Sequence, residues 1–261
     1  MRFHIVTIFP DFFRDPFSCG VIGRAKEAGL VEIQLCDLRD WTSDVHRTVD
    51  DRPFGGDEGM VMKIEPIDAA LADIASQCPG GAARKVLLSA QGRVFDQSDA
   101  QRLAGIDDVV LVCGRYEGVD ERVAEHLVDE ELSVGSYVLS GGEWAAGVIV
   151  DSVARLCPGV VGNADSTRRE SFNPLDGGGV GILDCPQYTR PASYSSPRAA
   201  GQTWGVPEVL LSGHHGEVAR WRRQAAIEKT RVNRPDLLRS LEAAEGEAPD
   251  PGTLGIRGKS R

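Results

Sequence analysis

At three places along the chain an apolar run stops and gives way to glycine and a few polar side chains. Residues 85–89 run into Ala90-Gln91-Gly92-Arg93, residues 109–113 into Gly114-Arg115-Tyr116-Glu117-Gly118, and residues 132–139 into Ser140-Gly141-Gly142. Glycine is used where backbone takes positive φ or comes close to a ligand, so three such turns describe a pocket walled by peptide groups. The chemistry open to it is binding of a small molecule by main-chain donors and acceptors. Tyr116 and Tyr137 add aromatic faces, and Glu117 adds a carboxylate able to balance a cation. Taken singly each feature is ordinary, since a glycine loop is commonly a plain turn and a strand-end tyrosine commonly part of a core. No G-x-x-x-x-G-K-[ST] phosphate loop is present. The run Gly177-Gly178-Gly179-Val180-Gly181 follows no strand and opens no helix, so flexibility accounts for it better. No metal site is expected: His214-His215 is an adjacent pair without further ligands, and the six cysteines show neither C-x-x-C nor zinc spacing.

The elements that must hold these turns follow from periodicity and punctuation. Residues 3–9 read as a strand, Pro10-Asp11 opens a helix that runs to the stop at Ala28-Gly29, and 30–35 is the next strand. A polar loop over 42–59, a helix over 67–74, the strands 85–89 and 109–113, a helix over 119–127 and a strand over 132–139 follow. A further helix after Gly142 contains Arg155 and ends at Pro158-Gly159. This alternation predicts an α/β fold with a mainly parallel sheet covered by helices on both faces. In such sheets ligands bind beyond the carboxyl ends of the strands, where all three turns fall. Residues 1–161 form this domain. Residues 162–181 lack periodicity and read as a flexible linker, 182–245 as a small helical domain, and 246–261 as a disordered tail.

The net charge of −10 excludes a protein that coats nucleic acid indiscriminately, so any RNA contact is local. One stretch reverses the sign: between His214 and Arg239 seven Lys/Arg face three acids. On a helix from Gly216, Val218, Trp221, Ala225 and Val232 share one face while Arg220, Arg223 and Arg231 lie roughly opposite. A solvated charged face is the commoner meaning of such a run, and the local charge reversal is what favours RNA. The apolar run 3–9 is too short for a signal-peptide core, and no apolar run of about 18 residues is long enough to cross a bilayer. Reduced thiols fit a cytoplasmic location.

Two segments carry a resemblance as well as a pattern. CGRYEGVDER (113–122) and SVGSYVLSGGE (133–143) closely resemble the bacterial tRNA (guanine-N1)-methyltransferases of the SPOUT superfamily. The likeness continues in IFPDFF (8–13), DDRPFGG (50–56), LDCPQYTRP (183–191), LSGHHGEVARWRR (211–223) and RPDLL (234–238), spanning residues 1 to about 240 in family order. The resemblance implies S-adenosyl-L-methionine as methyl donor, and tRNA carrying guanosine at position 37 as substrate. It also implies a homodimer with the active site at the subunit interface. In fold terms it implies a SPOUT-type parallel sheet whose chain threads a deep trefoil knot at the C-terminal end of the first domain, against the prior for unknotted chains. On the resemblance Gly114 and the run Val134, Gly135, Ser136, Tyr137, Val138 and Leu139 line the cofactor site. The rest of the three turns, Leu88, Ser89, Ala90, Tyr116, Glu117, Gly118, Ser133, Gly141 and Gly142, complete it.

The family's catalytic arginine, in D-S-V-x-R, matches Arg155. Its aspartate, in D-S-F, is replaced by Glu170 in RESF, with Asp165 as the fallback carboxylate. Without the resemblance Arg155 would read as a surface helix charge and Glu170 as a solvated linker charge. Candidate RNA contacts are Arg190, His215, Arg220, Arg223 and Arg231. Other departures are Asp57-Glu58 inside GGDEGM, Ala90 where proline is usual, and a longer linker. Magnesium is a frequent family requirement, although no ligand cluster in the sequence points to it. Three alternatives stay open on the sequence alone: a related SPOUT enzyme acting on another RNA position or a ribose hydroxyl, an RNA-binding protein without catalysis, and a nicotinamide oxidoreductase. The last is disfavoured because no G-x-G-x-x-G follows the first strand.

Overall fold

A computed structural model describes residues 1–56, 58–79, 82–162, 167, 170–173, 181–198 and 201–239. The chain divides into two compact units, Met1–Ala164 and Asp165–Arg261. In chain order the first runs β1 (Arg2–Thr7), α1 (Gly20–Glu27), β2 (Glu32–Asp37), β3 (Asp50–Asp51), β4 (Val61–Met62), α2 (Ile64–Gln77) and β5 (Arg84–Val94). It continues with α3 (Gln97–Ala104), β6 (Asp108–Cys113), α4 (Glu121–His126), β7 (Glu130–Ser133) and α5 (Glu143–Ala154). Five strands form one parallel sheet in the order β2-β1-β6-β5-β7. β3 and β4 make a separate antiparallel pair.

β6 is buried at every position. Its Val109-Val110-Leu111-Val112 is the near-continuous apolar run that a parallel strand covered on both faces requires. Alternation then sorts the core. Phe3, Ile5, Val86 and Leu111 meet Ala25, Leu103 and Ile149 of α1, α3 and α5 on one face. Val6, Leu87, Val110 and Val112 meet Ile67, Leu71 and Ile74 of α2 and Val123 of α4 on the other. α5 buries Ala145, Ala146, Ile149, Val150 and Val153, one helical stripe, and leaves Trp144 and Val148 exposed on the opposite side.

Two sequence expectations are corrected in this unit. The helix expected from Pro10 to Ala28 is split into a 3-10 turn at Pro10–Phe13 and α1, which starts only at Gly20, where φ is +67°. The strand expected over 132–139 stops at Ser133. There the serine hydroxyl donates to the Gly135 carbonyl at 3.0 Å and Gly135 adopts φ +156°, turning the apolar residues that follow out of the sheet.

The second unit contains β8 (Ser193–Ser195) and β9 (Thr203–Gly205), an antiparallel hairpin, then α6 (Glu208–Leu211) and α7 (His215–Asn233). It is therefore not purely helical as expected, since 181–190 is non-regular backbone and the hairpin interrupts it. The expected apolar stripe of α7 is only half-buried, at Val218, Trp221 and Ala225, and the most deeply docked face is rotated from it. Ala226 and Thr230 are its buried positions, roughly a third of a turn away from the expected stripe, while Val232 is 71% exposed. The cause is polar: Thr230 donates to the Ala226 carbonyl at 2.7 Å and accepts from Leu183 N at 3.1 Å, so a hydroxyl rather than an apolar side chain fixes the docked face.

Candidate active site

The site is built from the carboxyl ends of β5, β6 and β7. At the end of β6 the Gly114 carbonyl accepts from Gly142 N at 2.9 Å, and Arg115 bridges antiparallel to Gly141. A Cβ on Gly142 would stand 2.7 Å from Cys113 Cα, so this crossing of two loops admits only glycine. Tyr116 then takes φ +61°, a left-handed conformation that non-glycine residues adopt at some cost and that clusters at functional turns. The loop is held from outside: Glu117 N donates to the Met60 carbonyl, Met62 N to the Gly118 carbonyl and Asp120 N to the Met62 carbonyl, all near 3 Å.

β5 loses register against β7 between Leu88 and Arg93, so that residues 89–92 stand out from the sheet as the second turn. Gly92 is needed there because a Cβ would lie 2.6 Å from the Glu131 backbone. The third turn follows β7, where Tyr137 Oη donates to the Val134 carbonyl at 3.1 Å. Together the turns surround a cavity of about 350 Å³. Its lining includes every residue expected at the cofactor site except Gly135 and Ser136. It also includes Gln91 and Arg115 of the same turns, and residues that sequence reasoning passed over, among them Leu87, Glu121, Ala124 and Glu131.

Beneath the turns lies a polar network that spacing could not reveal. Glu143 is 1% exposed at the start of α5; its Oε1 accepts from Thr7 Oγ1 at 2.8 Å and its Oε2 lies 2.8 Å from Arg115 Nη2. Arg115 also donates through Nη1 to the Ser140 carbonyl at 3.0 Å, and its guanidinium sits 4.5 Å above the Phe9 ring. One ion pair thus ties together the ends of β1 and β6 and the start of α5. Burial, with Glu143 nearby, holds the Cys113 thiol well above its ordinary pKa, so that cysteine packs and does not react.

The catalytic candidates are placed differently. Arg155 caps the carboxyl end of α5, whereas Gly142 and Ala145 meet the cavity at its amino end. Twelve residues of helix separate these ends by roughly 18 Å, so within one chain the arginine is not brought to the cavity. Glu170 belongs to the second unit, where its carbonyl accepts from Asn173 N at 3.4 Å. Asp165 lies outside the described residues, as does Asp57. Of the RNA candidates, Arg190, His215, Arg220, Arg223 and Arg231 are all exposed, with Arg220 paired to Glu217 and Arg231 to Glu228.

The fold also gathers a group that the sequence gave no reason to expect. His4, Cys78 and Asp108 place potential metal-binding atoms within 4.8 Å of one another near the amino-terminal edge of the sheet, away from the cavity. The Arg2 guanidinium already sits 2.8 Å from Asp108 Oδ1, so a cation there would face an established positive charge. A structural charge network describes this group better.

Comparison with known proteins agrees with the geometry. A family profile described as tRNA (guanine-1)-methyltransferase TrmD matches residues 1–240. Relatives named tRNA (guanine-N(1)-)-methyltransferase are similar over nearly their whole length. That of Koribacter versatilis is 51% identical over 259 residues, covering 94% of this chain and 95% of its own. That of Chloroflexus aggregans is 49% identical over 245 residues, covering 94% and 90%. That of Geobacter sulfurreducens is 46% identical over 247 residues, covering 95% of each. A match running from the first residue through the basic helix, with about half of all positions identical, means that the chain belongs to the tRNA (guanine-1)-methyltransferase family.

Proposed function

We propose that this protein transfers the methyl group of S-adenosyl-L-methionine to N1 of the guanosine at tRNA position 37, giving N1-methylguanosine and S-adenosylhomocysteine. The observation that carries the proposal is a cavity walled by peptide groups at the ends of three neighbouring parallel strands, in a chain of this family. The methyl donor supplies a carbon activated by a positive sulfonium. The lining suits it: Leu87, Leu132 and Ala145 form apolar walls, Glu117 offers a carboxylate, and Arg115, the cation among the described lining residues, is neutralised by Glu143. At about 350 Å³ the cavity falls in the usual range of small-molecule sites.

Glu170 takes the guanine N1 proton as N1 forms its bond to the methyl carbon and the carbon–sulfur bond breaks, and Arg155 steadies the charge that grows on O6. Base catalysis of this kind contributes roughly 100- to 10,000-fold. Glutamate keeps the carboxylate of the family's aspartate and adds one methylene. On this proposal the chain divides into a cofactor domain (1–161) and a tRNA-binding domain (182–245), and most of the linker expected over 162–181 lies outside the described residues. Glu117, Glu121 and Glu131 line the cavity, but among the described residues their carboxylates do not converge as a metal-ligand group, so no step is assigned to magnesium.

The working unit of the proposal is a cytoplasmic homodimer whose two subunits share each active site. Its support is the outer face of α5, where Trp144 (58% exposed) and Val148 (48%) continue onto Phe12, whose ring stands edge-on 4.7 Å from Trp144. Apolar surface of this kind on a soluble chain marks an interface. The distance of Arg155 from its own chain's cavity points the same way. The trefoil knot is part of the same reading: after β7, at one edge of the sheet, the chain returns past Gly114 to pack α5 under β6 and β1.

Purified protein, labelled S-adenosylmethionine and transcripts with guanine or adenine at position 37 test the assignment. Labelling of the guanine transcript alone is expected; labelling of both removes the site specificity, and labelling of neither leaves an RNA-binding protein. Within the active enzyme, Glu170→Ala is expected to lower single-turnover transfer by at least about 100-fold. A rate within a few-fold of wild type, with Asp165→Ala inactive, reassigns the base.

A further inference from the structure

The β8–β9 hairpin has a task that neither the cavity nor α7 explains. Tyr194 and Trp204 are direct cross-strand partners, with ring centroids 6.0 Å apart and planes 31° from parallel. Such pairing steadies a hairpin, but a two-stranded ribbon has no second layer to bury its faces, and these rings remain 48% and 53% exposed. Around them the composition is skewed. Acids make up 39 of 261 residues, so a 23-residue stretch would carry about three (39 × 23/261); residues 185–207 carry none. The same stretch holds two exposed arginines, Arg190 and Arg198, and hydroxyls on Ser193, Ser195 and Thr203. Ser195 and Thr203 share a 2.9 Å hydrogen bond that fixes the strands beside the ring pair. On a chain of net charge −10, a stretch that combines exposed aromatic faces, guanidiniums and hydroxyls and carries no acid between Asp184 and Glu208 has the chemistry of a single-stranded nucleic-acid contact.

We infer that the hairpin is a stacking platform for an unpaired nucleobase of the tRNA substrate. The base lies on the exposed indole face of Trp204, Tyr194 supports the indole from the neighbouring strand, and Arg190 and Arg198 meet flanking phosphates. Stacking tolerates any base, so the contact adds affinity across tRNAs and leaves the choice of the methylated position to the active site. The inference rests on the RNA-binding role proposed above for the second unit.

The test uses the full-length protein with S-adenosylmethionine present and follows tRNA affinity for Trp204→Ala, Trp204→Leu, Trp204→Phe and Arg198→Ala. Alanine and leucine are expected to weaken tRNA binding about tenfold or more, phenylalanine to retain most of it, and all variants to bind S-adenosylmethionine as wild type does. Arg198→Ala is expected to lower the slope of log affinity against log salt by about one, which Trp204→Ala does not. Leucine, being large and apolar, separates an aromatic contact from generic packing of the hairpin. Wild-type affinity in Trp204→Ala, or equal affinity in the leucine and phenylalanine variants, overturns the inference. So does a leucine variant that changes only the oligomeric state, which would assign the rings to a second copy of the chain. Because the readout is binding, a protein that holds tRNA through Trp204 but transfers no methyl group would sink the proposed function and spare the hairpin.

Discussion

Glu143 carries the most consequence per atom in the first unit. It is almost fully buried, and its two oxygens are committed to Thr7 and Arg115, which belong to different strand ends. Glu143→Gln keeps the shape and removes the charge, leaving Arg115 with 20% of its side chain exposed and no counter-ion. Breaking a buried pair costs about 3–5 kcal/mol, and partial solvent access reduces this to roughly 2 kcal/mol. In a chain of this length that is a fall in Tm of roughly 4–8 °C, accompanied by weaker S-adenosylmethionine binding in calorimetry. An unchanged Tm would mean that the pair contributes nothing net. Gly142→Ala acts at the same crossing by steric means. Its Cβ would lie 2.7 Å from Cys113 Cα and 3.1 Å from Gly114 N, both backbone atoms that cannot swing aside. The expected cost is about 1–3 kcal/mol with a matching loss of cofactor affinity, and normal affinity in this variant would show that the loops can separate freely.

At the scale of elements, the charges that join β5, α3 and β7 make an acid-sensitive clasp. Asp99, in the first turn of α3, accepts from Arg93 through both oxygens at 2.6 Å and from Arg102 at 3.0 Å, and Arg102 and Arg84 both reach Glu130 at the start of β7. Burial alone would raise the Asp99 pKa, but these guanidiniums outweigh it and hold the carboxyl at about 2. A carboxyl with a depressed folded pKa stabilises fully above its unfolded value near 3.9 and loses that contribution as pH falls toward about 2. The folded state should therefore lose roughly 2 kcal/mol between about pH 4 and pH 2 from this group, and Asp99→Asn should flatten that limb of a stability–pH curve. Parallel limbs for the two proteins would remove the clasp from the account. The same elements show what was readable in advance. Strand ends marked by glycine and the β-branched run of β6 located three turns of the cavity, because those residue types answer to backbone geometry. The strand read over 132–139 failed because alternation cannot register a serine hydroxyl closing a turn at Gly135. On α7 the stripe of Val218, Trp221 and Ala225 is half-buried as its pattern implied, but the deepest docking is rotated from it because Thr230 docks through hydrogen bonds that an apolar stripe does not represent. Glu143 with Thr7 and Arg115 was invisible for a different reason, since residues so far apart in sequence meet only through the topology.

For the whole molecule the proposed reaction requires Arg155 and Glu170 to act on one base. Each chain holds the cavity at one end of α5 and Arg155 at the other, roughly 18 Å away, with Glu170 in the second compact unit. The proposed two-fold dimer would meet this requirement by lending each cavity residues from its partner, since in a closed two-fold assembly whatever one subunit lends it also receives. The arrangement can be read by mixing two inactive homodimers. Arg155→Ala and Glu170→Ala are each expected to be inactive at both sites. If the two side chains at one site come from different subunits, a mixed dimer has one site with both residues intact and one with neither. Random reassortment makes about half of the dimers mixed, so about a quarter of wild-type sites should reappear after subunit exchange. If both side chains come from the same subunit, every site in the mixture lacks one of them and no activity returns. Trp144→Arg supplies the matching control. Placed on the exposed face of α5 beside Phe12, the charge should split the dimer in sedimentation while leaving each chain folded. It should then abolish both methyl transfer and complementation together. A monomeric Trp144→Arg protein that still methylates tRNA would show that one chain assembles the whole site by itself, and the shared-site arrangement would fall.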